Sequence, residues 1–392
     1  MNGSAPMVRN LTDGKTGEMR IALCGDVMTG RGIDQILPHP GRPELHERYI
    51  GSALDYVALA EQASGGEISR HVPSSYLWGD AIDALQRFQP DALVVNLETA
   101  VTTADRPELK GINYRMHPAN IDCLASLGVD CCVLANNHVL DWGEGGLAET
   151  LNVCHQAGIR TAGAGRSRAE AAAPAELSLP DKGRILIFAA ALPSSGTLPG
   201  YAATSRRPGV MFLEDLSPGR AGEVSEWIGH FRRPDDLVIL SLHWGPNWGY
   251  DVSEAEMAFA HALAGLGVVD VVHGHSSHHP RAVEIWRSKP ILYGCGDFLN
   301  DYEGIRGYET YRGDLVLLYL VTMAGPPWGV AALEMVPFRI RKFRLQKAAS
   351  EEAEWLRQLM DRECGAFGGR VSLENEVLRL VLPPVGETAG RI

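Results

Sequence analysis

Short apolar runs that end abruptly in polar residues recur along this chain. They are rich in Val, Ile and Leu and lack strict alternation of apolar and polar residues, which is typical of strands buried on both faces. We therefore predict buried strands at Ile21–Cys24, Ala92–Val95, Cys131–Leu134, Leu237–Leu240, Val268–Val272 and Ile291–Tyr293.

Between these runs, apolar residues recur at helical spacing. Glycine or proline borders several of these stretches, and Ser253 is placed to cap one of them. The predicted helices are Trp78–Phe88, Ala119–Leu127, Gly146–Ala157, Glu223–Phe231 and Ser253–Leu266. Strands that alternate with helices indicate an α/β fold with a largely parallel sheet. Such sheets bind ligands at the carboxyl ends of their strands.

The remaining segments indicate how the chain is divided. Ile36–Ser75 lacks clear periodicity, so we interpret it as an insertion and a candidate lid, and Ala164–Asp181 as a soft linker. Asp314–Thr322 and Val330–Phe343 are longer β-like runs that we expect to complete the sheet, followed by a helix at Glu351–Asp361. The predicted domains are a flexible tail at 1–19, a metal-dependent catalytic domain at 20–346 with its insertion at about 36–75, and a C-terminal helix and tail at 347–392.

Composition excludes several classes of protein. The 392 residues include 36 Lys+Arg and 48 Asp+Glu, a net charge of −12 that disfavours binding to nucleic acid. No apolar run reaches the roughly 18 residues of a transmembrane helix, and the polar N-terminus has no apolar signal segment. We therefore expect a cytoplasmic protein without membrane contact. The seven Cys include no C-x-x-C pair, which predicts buried thiols and no disulfide framework.

The predicted strands end in residues that bind metals or transfer protons. One such residue at one strand end is commonly a turn residue or a helix cap, but here all six predicted strands are followed by at least one. Because the carboxyl ends of parallel strands meet at one edge of a sheet, we expect these side chains to converge. The strand ends carry Asp26; Asn96-Leu97-Glu98; Asn136-Asn137-His138 with Asp141; His243; His273-Gly274-His275 with His278 and His279; and Asp297.

These groups suit one divalent cation. The hard oxygens of Asp26, Glu98 and Asn137, with the imidazoles of His243, His275 and His278, favour Ca²⁺, Mn²⁺ or Mg²⁺ over Zn²⁺, which prefers Cys and His in closed sites. No organic cofactor is expected. The alternative is a set of scattered turn residues and helix caps. We expect His273 to brace the loop and His279 to be exposed and to point away from the metal.

Five motifs resemble those of the CapA-like proteins, which are named for poly-γ-glutamate capsule synthesis and belong to the calcineurin-like metallophosphatase superfamily. The motifs are GD at 25–26, NLE at 96–98, ANNHVLDWG at 135–143, HWG at 243–245 and HGHSSHHP at 273–280. The resemblance implies a four-layer α/β/β/α sandwich with a metal site at the strand ends. It also implies that Asp26, Glu98, Asn137, His243, His275 and His278 stand at ligand positions and that His138 stands at the position of an acid–base His.

The chain departs from the superfamily pattern at three motifs. Asp26 is followed by Val27-Met28 where phosphoesterases have D-x-H. Asn96-Leu97-Glu98 stands where they have G-D-x-x-D, whose first Asp bridges two metals. His275 and His278 are separated by two residues instead of one. Because a two-metal phosphoesterase needs metals about 4 Å apart, these losses favour a single cation.

The leading hypothesis is a cofactor-free, metal-dependent epimerase that inverts a Cα centre of a ribosomal precursor peptide from L to D. Histidines oriented by carboxylates, here His138 and His275 with Asp26, Asp141 and Asp297 as candidates, can remove and return a proton near neutral pH. The sequence is similar to CapA-like epimerases of lasso peptide clusters. The polar N-terminus favours this role over the capsule role, because capsule-type members usually carry a membrane anchor. The expected partners are the precursor peptide and a leader-binding protein.

Two alternatives remain open. One is a metal-dependent hydrolase of a phosphoester or an amide, and the other is a CapA-like capsule assembly or binding protein with a vestigial site. Substrate-binding candidates are Arg115, as a clamp for a carboxylate, Trp244, as the wall of a peptide pocket, and Tyr302, as a residue that closes over the site. A surface salt bridge for Arg115 and core packing for Trp244 are equally compatible with the sequence.

Overall fold

A computed structural model describes residues 17–382 of the chain. Within them the strands are β1 (Glu18–Val27), β2 (Ala92–Leu97), β3 (Ala100–Val101), β4 (Arg115–Met116), β5 (Cys131–Val133), β6 (Arg160–Ala162), β7 (Ala164–Gly165), β8 (Ala175–Leu179), β9 (Gly183–Ala191), β10 (Gly209–Val210), β11 (Leu237–His243), β12 (Val271–His275), β13 (Val283–Trp286), β14 (Lys289–Leu292), β15 (Asp297–Leu299), β16 (Leu315–Ala324), β17 (Gly329–Arg341), β18 (Arg344–Lys347), β19 (Arg370–Glu374) and β20 (Val377–Val381). The helices are α1 (Ala53–Ser64), α2 (Asp80–Phe88), α3 (Asp122–Leu127), α4 (Gly143–Gln156), α5 (Arg168–Ala172), α6 (Pro218–Gly229), α7 (Glu254–Gly265) and α8 (Ser350–Gly365).

The first sheet is built around β1. Its order is β19-β20-β17-β16-β1-β2-β5-β6, with β15 also paired to β1 and β18 to β17. Strands β1, β2, β5 and β6 run parallel, whereas β16 and β17 run antiparallel to their neighbours. Parallel pairing of β1 with β2 and β15 places Asp26 beside both Asn96 and Asp297. The carboxyl ends of β1 and β2 therefore meet the first residue of β15.

The second sheet has the order β13-β14-β12-β11-β9-β8. Its central strands β9, β11, β12 and β14 are parallel. The register of β11 against β12 sets His243 directly opposite His275. The second sheet thus presents a pair of histidines at the carboxyl ends of its strands.

The two sheets face each other across a shared core. In β9, Ile185 and Ile187 pack into that core, whereas Leu186 and Phe188 point to the opposite face and pack in the cluster that includes α6 and α7. Residues of α4 such as Leu147 belong to the shared-core cluster with the first sheet. The result is a layered α/β fold of the kind that the sequence predicted, and the predicted fold class is confirmed.

Several segments contain more regular structure than the sequence pattern indicated. The predicted insertion 36–75 includes α1, whose Tyr56 and Val57 are buried, and the predicted linker 164–181 includes β7, α5 and the edge strand β8. The C-terminal region adds β19 and β20 to the predicted helix. Their turn uses Asn375 and Glu376 at positive φ, without the glycine that usually marks such hairpins.

Strands β16 and β17 complete the first sheet, as predicted, because β16 pairs with β1 and β17 pairs with β16. Residues 1–16 and 383–392, which belong to the two predicted tails, lie outside the described residues. Among the helices of residues 17–382, none has both the length and the apolar composition that crossing a membrane requires. The division into domains stays a prediction.

Candidate metal centre

Asp26 links the first sheet to the chain that follows β12 of the second sheet. It is fully buried at the end of β1, and its backbone N–H donates to the Gly296 carbonyl at 2.9 Å. Asn96 Nδ2 donates to Asp26 Oδ1 at 2.7 Å, and the Ser276 N–H donates to Oδ2 at 3.2 Å. These contacts fix the carboxylate before any ligand binds.

Gly25 allows this close approach of β1 to the chain before β15. A Cβ at Gly25 would lie 1.7 Å from the Gly296 carbonyl oxygen, far inside any real contact distance. Gly25→Ala should therefore lower the free energy of unfolding by about 1–3 kcal/mol or more, as overpacking does, and displace Asp26. Thermal or denaturant unfolding measures the loss. Gly145→Ala in α4 is the matched control, since nothing lies within 4 Å of its Cβ position, and an equal loss there would contradict the argument.

Asp26, His243 and His275 form one group that can hold a metal ion. The Nδ1 atoms of the two histidines lie 2.9 Å apart, and His275 Nδ1 lies 3.7 Å from Asp26 Oδ1. Neighbouring ligands of one ion have separations of this order, because metal–ligand bonds are about 2.0–2.2 Å long. Ser241 Oγ lies 2.7 Å from His275 Nε2 and orients that ring from behind.

Asp26, His278 and Asp297 form a second group that overlaps the first at Asp26. His278 Nδ1 lies 2.9 Å from Asp297 Oδ1, and Asn300 Nδ2 donates to Asp297 Oδ2 at 2.8 Å. The sequence predicts Asp297 as an acid–base residue. In the structure it also lies close enough to Asp26 and His278 for the three side chains to hold one ion. A single ion, as the sequence predicts, and two ions sharing Asp26 are both compatible with this arrangement.

Glu98 and Asn137 approach the same centre from the first sheet. Asn137 Oδ1 lies 3.1 Å from His243 Nε2, and Glu98 Oε1 lies 3.8 Å from the same nitrogen. The other oxygen, Glu98 Oε2, is buried without a hydrogen-bond partner. A buried carboxylate oxygen without a partner lowers the stability of the fold, because it has lost its hydrogen bonds to water. A bound cation would provide that partner.

The charge of the centre points to a cation as well. Burial, followed by the neighbouring carboxylate of Asp297, raises the pKa of Asp26 to about 7. Burial and the charge of Asp26 likewise raise the pKa of Glu98 well above its usual range. Carboxylates crowded in this way are disfavoured in their charged form unless a positive charge is added. The donor set and the charge thus both fit a divalent cation, whose identity stays open.

His138 stands beside this centre and is oriented by Asp141. Its Nδ1 lies 2.7 Å from Asp141 Oδ2, and its Nε2 lies 3.7 Å from Glu98 Oε1. Burial lowers the pKa of His138 to about 4, so its ring is neutral at pH 7. Lys110, which the sequence analysis did not single out, forms a 2.7 Å ion pair with Asp141 and donates to the Asn137 carbonyl at 2.5 Å.

The other histidines have distinct environments. Burial lowers the pKa values of His243 and His275 well below the usual range, which keeps them neutral as metal binding requires. At His278, burial opposes the charged form, yet the adjacent Asp297 carboxylate outweighs it and the pKa is raised. His273 bridges the sheets, with Nε2 2.9 Å from the Cys24 carbonyl. The expectation that His279 is exposed is wrong: it is buried against Tyr311.

The predicted substrate-binding residues occupy three different kinds of position. Trp244 is fully buried in the outer core of the second sheet and donates to the Tyr293 carbonyl at 2.9 Å, so it packs the core instead of lining a pocket. The Arg115 guanidinium donates to the Ala104 carbonyl at 2.7 Å and lies over the ring of Trp142. A role for Arg115 as a clamp stays a prediction.

Tyr302 borders a cavity of about 780 Å³ that opens beside the centre. His278 lines the same cavity and so connects it to the metal-ligand group. The Tyr302 hydroxyl lies 3.0 Å from the Tyr114 hydroxyl. Arg31, another residue that the sequence analysis did not single out, is buried in the wall of this cavity. Nothing in the strand pattern marks it, because it lies in the loop after β1.

The cysteines next to the motifs are not activated. Cys24 and Cys295 are both buried, and burial raises the pKa of each thiol well above its usual range. A thiolate nucleophile requires the opposite shift. The chemistry of the centre therefore belongs to its carboxylates and imidazoles.

Comparison with known proteins shows the family to which the chain belongs. Residues 20–302 match the family described as bacterial capsule synthesis protein PGA_cap. A probable polyglutamine synthesis accessory protein of Mycobacterium tuberculosis is 42% identical over 381 residues, 96% of this chain and 99% of the relative. The PGA biosynthesis protein CapA of Bacillus subtilis is 25% identical over 80% of this chain and 70% of its own length. The capsule biosynthesis protein CapA of Bacillus anthracis is 22% identical over 83% of this chain and 68% of its own length. This chain therefore belongs to the PGA_cap family of bacterial capsule synthesis proteins, the CapA-like proteins.

Proposed function

We propose that this protein is a metal-dependent hydrolase that acts in the synthesis of a polyglutamate-type polymer, where it cleaves an amide bond. The observation that carries the proposal is the buried centre at the strand ends, which joins metal-ligand groups and an oriented His–Asp pair to an open cavity. The polymer is suggested by the names of the relatives, which refer to polyglutamine or PGA synthesis.

The residues of the chain divide the work as follows. Asp26, His243 and His275 would hold a divalent cation, which when bound lowers the pKa of a water molecule and polarises a carbonyl oxygen. His138, neutral at pH 7, is placed to accept a proton at Nε2, because its Nδ1 is engaged by Asp141. Lys110 holds Asp141 and thereby keeps the imidazole in that orientation.

The epimerase hypothesis from the sequence has less support than this proposal. The names of the relatives refer to capsule or polyglutamine synthesis and not to peptide epimerisation. The departures from the phosphoesterase motifs also weaken the case for a phosphoester as the substrate. A precursor peptide and a leader-binding partner stay expectations of the epimerase hypothesis alone.

Metal binding can be tested without knowledge of the substrate. We expect Mn²⁺ to raise the melting temperature of chelator-treated protein by a few degrees, since binding at 100 times Kd adds about 2.7 kcal/mol. Differential scanning calorimetry measures the shift. His243→Ala should abolish it, whereas His155→Ala, an exposed histidine of α4, should retain it. An unchanged shift in His243→Ala would show that Mn²⁺ does not bind at this centre.

Activity is tested by incubating the Mn²⁺-loaded protein with poly-γ-glutamate in heavy water. Hydrolysis predicts new amino termini and shorter chains without deuterium at Cα. Deuterium at Cα without cleavage would support epimerisation and overturn the proposal. Cleavage that persists in Asp26→Asn would also contradict it, because Asp26 belongs to both metal-ligand groups.

A further inference from the structure

We infer that the cavity beside the metal centre binds an uncharged apolar group of the substrate, of the size of a medium acyl chain. The cavity measures about 780 Å³, within the range of ligand sites. The apolar side chains that line it are Tyr49, Ile50, Ile112, Trp248, Ile305 and Tyr308. One part of the inference rests on the proposed function: that the reacting end of the substrate binds at the metal centre.

Exposed apolar side chains collect at the mouth of this cavity. Tyr49 is 87% exposed, Tyr308 48%, Ile112 42% and Ile305 39%. Large apolar side chains that are exposed together typically mark a site that binds a ligand or a partner. Trp248 stacks on Tyr308 with ring centroids 4.1 Å apart, and its ring centroid lies 5.3 Å from that of His278, so it contacts both the exposed aromatic residue and the histidine of the centre.

Most charged residues of the cavity wall have partners within the protein, whereas the exposed Arg48 forms no ion pair within residues 17–382. Arg31 pairs with Glu47 at 3.1 Å, and Arg312 pairs with Asp314 at 2.8 Å. Glu303 accepts backbone N–H groups of Lys342 and Phe343. A bare glutamate polymer carries a carboxylate on every unit, whereas this wall offers one unpaired guanidinium, that of Arg48, among the described residues. An apolar group gains from the same wall by leaving water.

His278 gives the orientation of the bound molecule. It lines the cavity, and it also belongs to the metal-ligand group with Asp26 and Asp297. A molecule whose apolar end fills the cavity therefore presents its other end to the carboxylates and imidazoles of the centre. The substrate class that fits is an acylated or otherwise apolar-substituted glutamyl compound.

Binding of two probes tests the inference in metal-free protein with chelator present. N-octanoyl-γ-glutamylglutamate should bind at least about tenfold more tightly than γ-glutamylglutamate by isothermal titration calorimetry, because each buried methylene favours binding about fourfold. Equal affinities, or tighter binding of the unacylated dipeptide, would overturn the inference.

Surface variants locate the binding. The double variant Ile112→Ser/Tyr308→Ser should lose most of the advantage of the acyl group, and both positions are exposed enough to be changed without loss of the fold. Leu266→Ser is the matched control, since Leu266 is 54% exposed at the end of α7. Equal losses in the double variant and the control would contradict binding in the cavity. Because no metal is present, these results are independent of whether the protein is a hydrolase.

Discussion

Asp26→Asn should abolish divalent-cation binding and lower kcat by about a thousandfold. Asp26 is the one residue shared by the two metal-ligand groups found in residues 17–382, and asparagine keeps its shape while removing its charge. Loss of a catalytic cation removes several kcal/mol of transition-state stabilisation, and each ~1.4 kcal/mol corresponds to a factor of ten. Calorimetric metal titration and a steady-state assay measure the two effects. A variant that keeps native metal affinity would show that Asp26 is not a ligand.

Without metal, the native protein and the Asp26→Asn variant should differ in how their free energy of unfolding depends on pH. Since the pKa of Asp26 is raised from 3.8 to about 7, the folded state holds a proton in this window that the unfolded state has released. The contribution of Asp26 to stability is therefore complete below about pH 4 and is lost as the pH rises towards 7. The difference in stability between native protein and Asp26→Asn should change across this window. A constant difference from pH 4 to 7 would contradict the environment described for Asp26.

Arg281→Met should lower the free energy of unfolding by about 3–5 kcal/mol, the range for breaking a buried ion pair. Arg281 is fully buried, and its Nη1 donates to Glu256 Oε1 at 2.8 Å. Glu256 also accepts the backbone N–H of Ser253 at 2.8 Å in the N-terminal cap of α7. Removing the guanidinium leaves a buried carboxylate with too little compensation. Denaturant unfolding measures the change.

Two further variants separate the ion pair from simple packing. The double variant Arg281→Met/Glu256→Gln should recover part of the loss, because no unpaired charge remains. Arg87→Met, at an exposed position of α2, should change stability little. A loss in the double variant that equals the sum of the two single losses would show that the charges are not coupled.

The sequence predicted the strands that lead to the centre because they are buried on both faces and end in polar residues. β9 went unpredicted although it lies in the middle of the second sheet. Its last residues are Ala189, Ala190 and Ala191, and alanine favours helices over strands. Ile185–Phe188 is an apolar run like those of the predicted strands, but it passes into these alanines without the abrupt polar end that marks the others.

The residues of the centre were foreseeable for a related reason. Parallel pairing brings the carboxyl ends of β1 and β2 beside the first residue of β15, so Asp26 and Asp297 meet through register. Lys110 and Arg31 come from loops, and their positions depend on tertiary contacts that the sequence pattern does not contain. Trp244 shows the converse case, because it belongs to the HWG motif and yet packs in the core instead of lining the cavity.

The pairing of β1 with β16 determines where the chain can be shortened. The family match ends at residue 302, whereas β16 begins at Leu315 and covers β1 from Glu18 to Leu23. A fragment that stops at 302 would leave this edge of the strand that carries Asp26 open to other molecules. Uncovered apolar edges promote aggregation. We therefore expect a fragment that ends at residue 302 to be less stable and more prone to aggregation than a chain that includes β16.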